Sequence, residues 1–508
     1  MLASVKSYAL EGLDGYAVDV EVDVNNGLPA VETVGLASTA TKESKERVRA
    51  AIKNSGFPYP MKRITVNLAP ADTKKEGAAL DLPIAVGLLV CAEAVTGRRY
   101  KDFVFVGELA LNGAIRHVNG VMPLLISAMQ KGEKAFIVPS ANAEEASYID
   151  GIDVYAFDTL SEVVAFLNGE ETAPVAKKGF EAAGINLGYD VDFSDVKGQK
   201  VAKRALEIAV AGGHNVLMSG PPGAGKTMLA KCVPTIMPDM TFDEAVEVTK
   251  IHSVAGVLDS SVGIVNVRPF RTPHHTVTVP ALIGGGAKAR PGEVSLAHNG
   301  VLFLDEMPEY SRHALETLRQ PLEDKKVSVA RVMRSVEYPA DFMLVASMNP
   351  CPCGNYGSRT QTCTCTAAQI HAYLSKISGP LLDRIDLNIE VDGVEYSELR
   401  GSGEGETSAE VKARVERARE IQRKRFEGRG ITTNSRMGAK EITEFCKVDA
   451  DGERLLQKAF EKMGLTARGT TRILKVARTI ADLAGERDIL PKHIAEAIQY
   501  RTTERKFV

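Results

Sequence analysis

The chain has 508 residues, 44% hydrophobic and 25% charged, with a formal net charge of −3, which suits a globular protein of about three domains. That balance excludes a globally basic nucleic-acid binder, so any DNA contact has to come from local basic features. The start MLASVKSYALEG lacks the apolar core of a signal peptide, no apolar run reaches membrane length, and seven cysteines do not make a secreted disulfide framework, so a cytoplasmic protein without a membrane partner is expected.

Residues 1–168 alternate strand-like runs (YAVDVEVDV, ITVNLAP, FVFVGELAL, AFIVP) with helical ones (KESKERVRAAIKNSG, VMPLLISAMQKG), which predicts an α/β domain. Residues 169–188, GEETAPVAKKGFEAAGINLG, are rich in Gly, Ala and charge without an apolar period and read as a linker. Residues 189–395 alternate again and form a second α/β domain. A further break, RGSGEGETSAE at 400–410, ends in a helix start where Thr407 or Ser408 would cap a helix with Val411, Val415, Ala418 and Ile421 as its apolar stripe. Beyond it strand-like runs are absent, and 396–508 reads as a helical lid.

The second α/β segment carries the chemistry. Gly220-Pro221-Pro222-Gly223-Ala224-Gly225-Lys226-Thr227 is a full phosphate-loop pattern, preceded by the short apolar strand Asn215-Val-Leu-Met-Ser and followed by a helix opening at Met228. Glycines let the backbone amides turn towards phosphates, and the helix N-terminus adds partial positive charge. Lys226 is expected on the β- and γ-phosphates of ATP and Thr227 on Mg²⁺. The run Val301-Leu-Phe-Leu-Asp305-Glu306 is a buried parallel strand ending in two carboxylates. Asp305 completes the magnesium shell, and Glu306 is placed to activate the attacking water. A third strand, Phe342 to Met348, ends in Asn349, a candidate sensor of the γ-phosphate.

Directly after Asn349, Cys351, Cys353, Cys363 and Cys365 fall on one Gly-rich loop. Four thiolates so close can form a tetrahedral structural zinc site, although the commoner spacing is C-x₂-C; free or redox-active thiols remain the other reading. Cys91, Cys232 and Cys446 sit in apolar contexts and read as buried small residues.

Phe270-Arg-Thr-Pro-His-His-Thr276 and Pro291-Gly-Glu-Val-Ser-Leu-Ala-His-Asn-Gly300 resemble the magnesium-chelatase-like branch of AAA+ ATPases, and within it the YifB/ComM family. Ser378-Gly-Pro-Leu-Leu-Asp-Arg-Ile-Asp386 and the run from Ala467 to Ala481 extend the resemblance over essentially the whole chain. It implies that Arg384 is an arginine finger acting on the ATP of a neighbouring subunit, as its planar permanent charge suits. It implies that Arg468 is a second sensor touching the γ-phosphate of its own subunit, with Arg472 as the alternative. It also implies a homo-hexameric ring, a DNA helicase or translocase acting on branched or single-stranded DNA, and branch migration during recombination or natural transformation. Asp195-Val-Lys-Gly-Gln199 resembles the segment that cradles adenine, and the Gly284–Gly286 run falls where the family carries an insertion. Lys326 to Tyr338 matches the family's hairpin, with Arg331 and Arg334 near its tip facing DNA phosphates.

Residues Leu68 to Asp81 and Val106 to Gly120 resemble the S5-type α/β fold of the Lon proteolytic domain. The serine and lysine of a working Lon site fall on Ala79 and Met122, neither of which can be nucleophile or base. An ATP-dependent protease or unfoldase is therefore disfavoured. A chelatase motor subunit driving magnesium into a porphyrin is a further alternative, against which the N-terminal domain counts.

Overall fold

Val18, Val20, Val22 and Val24 alternate with Asp19, Glu21 and Asp23, the period of a strand with one buried face. The computed structural model describes all residues except 35–38, 72–77, 183–189, 287–288, 331–334, 358–360, 394–404 and 502–508, and in it those four valines are buried. The chain forms two compact units, Met1–Glu181 with Phe242–Val265, and Ala182–Thr241 with Asn266–Val508.

The first unit is built on a seven-stranded sheet. β1 (Leu2–Glu11) and β2 (Asp14–Asn25) form a hairpin; β3 (Ala30–Val34), β4 (Arg63–Ala69) and β5 (Val104–Phe105) follow. A small separate ribbon of β6 (Glu108–Leu109) and β7 (Ile115–Arg116) precedes β8 (Ala135–Pro139) and β9 (Asp153–Phe157), and the main order is β3-β4-β2-β1-β5-β8-β9. The helix Asp81–Cys91 is buried from Asp81 to Val90. Gly87 is what lets it approach the sheet, since a Cβ there would lie 2.6 Å from Val22 Cγ2.

The helix Phe242–Ala255 follows the phosphate-loop helix in sequence, within the segment read as the second domain, yet it belongs to the first unit. Val246 packs on the apolar cluster around Met122. Ser253 Oγ donates to the Glu145 carboxylate at 2.5 Å and accepts from Gly120 N at 2.9 Å. Glu145 also accepts from Met122 N at 2.9 Å and Asn142 Nδ2 at 3.2 Å, capping the N-terminus of the helix Val121–Gln130 with negative charge. Burial raises the Glu145 pKa against the pull of these donors. Part of the segment read as a linker is docked as well: Val175 N donates to Val154 O at 2.7 Å and Lys178 N to Ser147 O at 3.0 Å.

The second unit holds a five-stranded parallel sheet of β10 (Val216–Ser219), β11 (Phe270–Arg271), β14 (Val301–Leu304), β17 (Met343–Met348) and β18 (Leu387–Glu390), in the order β11-β14-β17-β10-β18. Between β11 and β14 the pair β12 (Gly284–Gly285) and β13 (Arg290–Pro291) forms, and β15 (Lys326–Ala330) with β16 (Ser335–Pro339) makes the expected hairpin. Its tip, with Arg331 and Arg334, lies outside the described residues. β10, β14 and β17 are buried along their whole length, as parallel strands covered on both faces are.

The C-terminal helices share one core with this sheet: Val411, Val415, Ala418, Ile473 and Val476 cluster with Leu206, Val216 and Val233. Thr407 caps the helix Ser408–Arg425 in a capping box with Glu410. Ser408 instead accepts from Phe193 N at 2.8 Å. Ile421 does not continue the buried stripe, being 36% exposed. The 3.6-residue period carries the stripe on to Gln422, which donates to Ala211 O and accepts from Asn434 N, both at 2.9 Å. Among the described residues no helix is long and apolar enough to cross a membrane.

Gly87→Ala sets two effects against each other. Helix propensity favours Ala by about 1 kcal/mol, and forcing a methyl onto stiff Val22 costs about 1–3 kcal/mol. The variant is expected to unfold at lower temperature in a thermal melt, and adding Val22→Ala should recover part of its own cavity cost by accepting that methyl.

Candidate nucleotide site

The sheet order sets the geometry. β17 stands between β10, which leads into the phosphate loop, and β14, which leads into the two carboxylates. All three run parallel, so Gly220, Asp305 and Asn349 emerge at one sheet edge, where open α/β sheets bind ligands.

Lys226 is buried, and its Nζ donates to Gly220 O at 2.6 Å, Pro221 O at 2.9 Å and Asn349 Oδ1 at 3.1 Å. Burial lowers its pKa, while the nearby Asp305 and Glu306 act to raise it. Gly223 and Gly225 take φ of 78° and 88°, and a Cβ on either would meet nothing within 4 Å. The loop is therefore an open cradle of left-handed backbone, suited to phosphate oxygens. Gln199, in the segment compared with an adenine cradle, ties this edge by donating to Asp392 O at 2.6 Å and Ala224 O at 3.4 Å. Met228 is 37% exposed just inside the helix.

Thr227 Oγ1 donates to Asp305 Oδ2 at 3.0 Å. Hydroxyl and carboxylate together form the hard oxygen set that Mg²⁺ takes alongside phosphate and water, so these residues fit a magnesium–nucleotide. Ser347, fully buried in β17, donates to Asp305 Oδ1 and accepts from Glu306 N at 3.1 Å. One hydroxyl thus orients both acidic residues. Glu306 itself is exposed at φ 50°, a left-handed conformation costly for a non-glycine residue. Sequence reasoning missed Ser347; a lone hydroxyl in the apolar run FMLVASM was its signal.

Arg384 lies elsewhere. It precedes β18, and its O accepts from Nδ2 of Asn215, the residue before β10, at 2.9 Å. That is the opposite edge of the sheet from the phosphate loop, roughly 13 Å of strand away. Its guanidinium pairs with Glu323 and donates to Pro380 O at 2.7 Å, and its buried Nε has no partner. Arg468 acts on the same Glu323: the bonded Arg384 lowers the Glu323 pKa most, with Arg468 and Arg319 adding to it through space. Arg468 stands in the first turn of the helix Ala467–Leu483, one turn before Arg472. Arg472 is committed to Asp386 at 3.5 Å. Burial would raise the Asp386 pKa, but His214, Arg472 and Asn215 N outweigh it and hold the carboxylate well below the usual range.

The four loop thiols converge. All four Sγ atoms lie within 4.8 Å of one another, with Cys351–Cys353 at 3.3 Å, Cys353–Cys363 at 3.6 Å and Cys351–Cys363 at 3.7 Å. Sulfurs around a tetrahedral zinc with bonds of about 2.3 Å stand about 3.8 Å apart, so the cluster can hold a metal with small adjustments. Of the other cysteines, Cys232 and Cys446 are buried, and desolvation pushes both thiols up to about 12. Cys91 is only half-buried.

In the first unit Ala79 packs on the apolar cluster that contains fully buried Met122. The positions aligned with a serine–lysine dyad thus both carry hydrocarbon on one apolar cluster. Residues 72–77 of the matching segment lie outside the described residues.

Comparison with known proteins agrees along the chain. Residues 20–142 match subunit ChlI of Mg-chelatase, 192–399 match magnesium chelatase subunit ChlI, and 405–501 match the ChlI C-terminal region. Competence protein ComM of Haemophilus influenzae is 46% identical over 99% of this chain and 98% of its own length. YifB of Escherichia coli is 42% identical over 100% and 98%. Lon protease 2 of Bacillus subtilis is 28% identical over 32% of this chain and 33% of its own. With its phosphate loop, acidic strand and five-stranded parallel sheet, the chain belongs to the YifB/ComM family of magnesium-chelatase-like AAA+ ATPases that carry an N-terminal Lon-protease-like domain.

Proposed function

We propose that this chain is a cytoplasmic, ATP-driven DNA helicase or translocase that works as a homo-hexameric ring and promotes branch migration of joint molecules, in recombination or natural transformation. The observation that carries the reading is the separation of Lys226, Thr227, Asp305 and Glu306 at one sheet edge from Arg384 at the other. A cation that cannot reach its own phosphate loop can complete the site of a neighbour, and such a pairing repeated around a ring closes it. The similarity to a protein named for competence supports DNA as the partner.

In this reading Lys226 leaves its carbonyl partners for the β- and γ-phosphates of ATP, and Asn349, which holds Lys226, senses the γ-phosphate. Thr227 and Asp305 would hold Mg²⁺, which when bound would supply charge neutralisation at the phosphates. Glu306 takes the proton from the attacking water, Arg384 stabilises the charge that develops in the partner's site, and Arg468 senses the γ-phosphate of its own subunit. Zinc in the four-cysteine loop is structural. A chelatase-type motor would instead answer to a porphyrin-binding partner, and a protease reading has no nucleophile at Ala79.

The deciding experiment is ATP turnover with and without forked and four-way DNA, alongside strand displacement. Stimulation by a porphyrin-binding protein and not by DNA would sink the reading. Arg331 and Arg334, at the hairpin tip, are assigned to DNA phosphates. Replacing both by alanine should leave basal turnover, remove DNA stimulation and flatten the salt dependence of binding by up to roughly two phosphate contacts.

Arg384→Ala alone should lower turnover by a factor on the order of 1,000, and Lys226→Ala should abolish it. Mixed rings of the two variants should regain part of the activity, because some interfaces then pair an intact loop with an intact arginine; no rescue in confirmed mixed rings contradicts a shared site.

Ser347→Ala should slow hydrolysis roughly tenfold to 100-fold by releasing Asp305 and Glu306. ATP binding should persist, measured by titration with a non-hydrolysable analogue. Unchanged turnover would show that the acidic pair needs no such orientation.

A further inference from the structure

The cysteine loop begins two residues after Asn349, whose Oδ1 accepts from Lys226. Tyr373, a buried residue of the helix Ala367–Leu374, lies near Asn349, whose backbone acts to lower the phenol pKa against the stronger upward push of burial. The loop also leans on the phosphate loop itself. Gly354 stands at φ 80°, and a Cβ there would lie 2.6 Å from Pro222 Cδ and 3.2 Å from Pro222 Cγ. The two loops approach as closely as a glycine permits. Gly354 N donates to Cys351 O at 2.9 Å and Tyr356 N to Cys351 Sγ at 3.3 Å, so the turn that meets Pro222 is folded around a metal-ligand position.

Nothing apolar in the loop explains why it should hold that shape. Apart from its cysteines and Pro352, its larger side chain is Tyr356, which is 51% exposed. A loop of Gly, Asn, Ser, Thr, Gln and one Arg, with a half-exposed Tyr356, has little hydrocarbon with which to offset its ordering entropy, whereas a metal bound by four thiolates contributes folding energy outright. Resting on the zinc reading above, we infer that the metal in this knuckle is the strut that presses Gly354 against Pro222 and steadies Asn349 against Lys226, so that metal occupancy sets the affinity of the nucleotide site. The knuckle is a positioning element: it touches the phosphate loop and no reacting atom.

The test uses the full chain and two readouts. Elemental analysis should find about one zinc per chain. ADP affinity is then measured before and after removal of zinc by a mercurial thiol reagent with a chelator, followed by thiol reduction. Stripping should weaken ADP binding on the order of tenfold, the usual scale for losing the support of a liganding group, and Zn²⁺ but not Mg²⁺ should restore it. The double variant Cys363→Ser, Cys365→Ser should reproduce the stripped state without reagents, its fold checked by circular dichroism. Pro222→Ala should keep its zinc, yet show the same ADP affinity loaded and stripped, because the contact through which the strut acts is gone. Equal ADP affinity in the loaded and stripped wild-type chain, with zinc loss measured, overturns the strut and leaves the zinc site standing. A chain purified without chelators that contains no zinc overturns both.

Discussion

The site depends on one hydroxyl between two carboxyl-bearing positions. β17 separates the phosphate-loop strand from the acidic strand, so the acidic pair cannot be steadied from the loop alone. Ser347, on the intervening strand, donates to Asp305 and accepts from Glu306 N, while Thr227 approaches Asp305 from the loop side. Three parallel strands are thereby tied at the edge where a nucleotide binds. The left-handed Glu306 is tolerated because Asp305 and Ser347 both engage its backbone N–H. Strain of this kind persists where the surroundings over-determine it.

At the other edge the organising group is Asp386. It accepts from Asn215 N, pairs with Arg472 and lies 3.4 Å from His214 Nδ1, whose Nε2 is 2.9 Å from Thr479. The start of β10, the start of β18 and the helix Ala467–Leu483 therefore meet on one buried carboxylate. Arg384 stands just before β18 and Arg468 in the first turn of that helix. The C-terminal helices are tied to the sheet through this carboxylate as well as through the core they share with it.

Much of this was legible in the residues, and the failures have physical reasons. The phosphate loop and acidic strand could be read because their chemistry needs particular residue types at fixed spacing beside an apolar strand. The capping box at Thr407 was legible because it is local. The pairing of Arg384 with Glu323 was not legible, because sequence carries no record of which distant carboxylate an arginine meets. Ile421 was placed in the buried stripe by its apolarity, but helical geometry buries Gln422, whose amide is satisfied at both ends. The helix Phe242–Ala255 escaped for a related reason: its partners, Gly120 and Glu145, are more than a hundred residues away.

That helix also explains how the first unit keeps its fold without a protease's chemistry. A serine–lysine dyad needs a polar, accessible pair, whereas here Met122 is fully buried and Ala79 packs on its cluster. Glu145 is a buried carboxylate, and such a group is costly unless its oxygens are satisfied. Ser253, Met122 N and Asn142 satisfy them. One of these donors comes from a helix inserted between the phosphate loop and the acidic strand in sequence. The insertion therefore supports the carboxylate and packs Val246 on the apolar cluster, and neither Ala79 nor Met122 offers a nucleophile or a base.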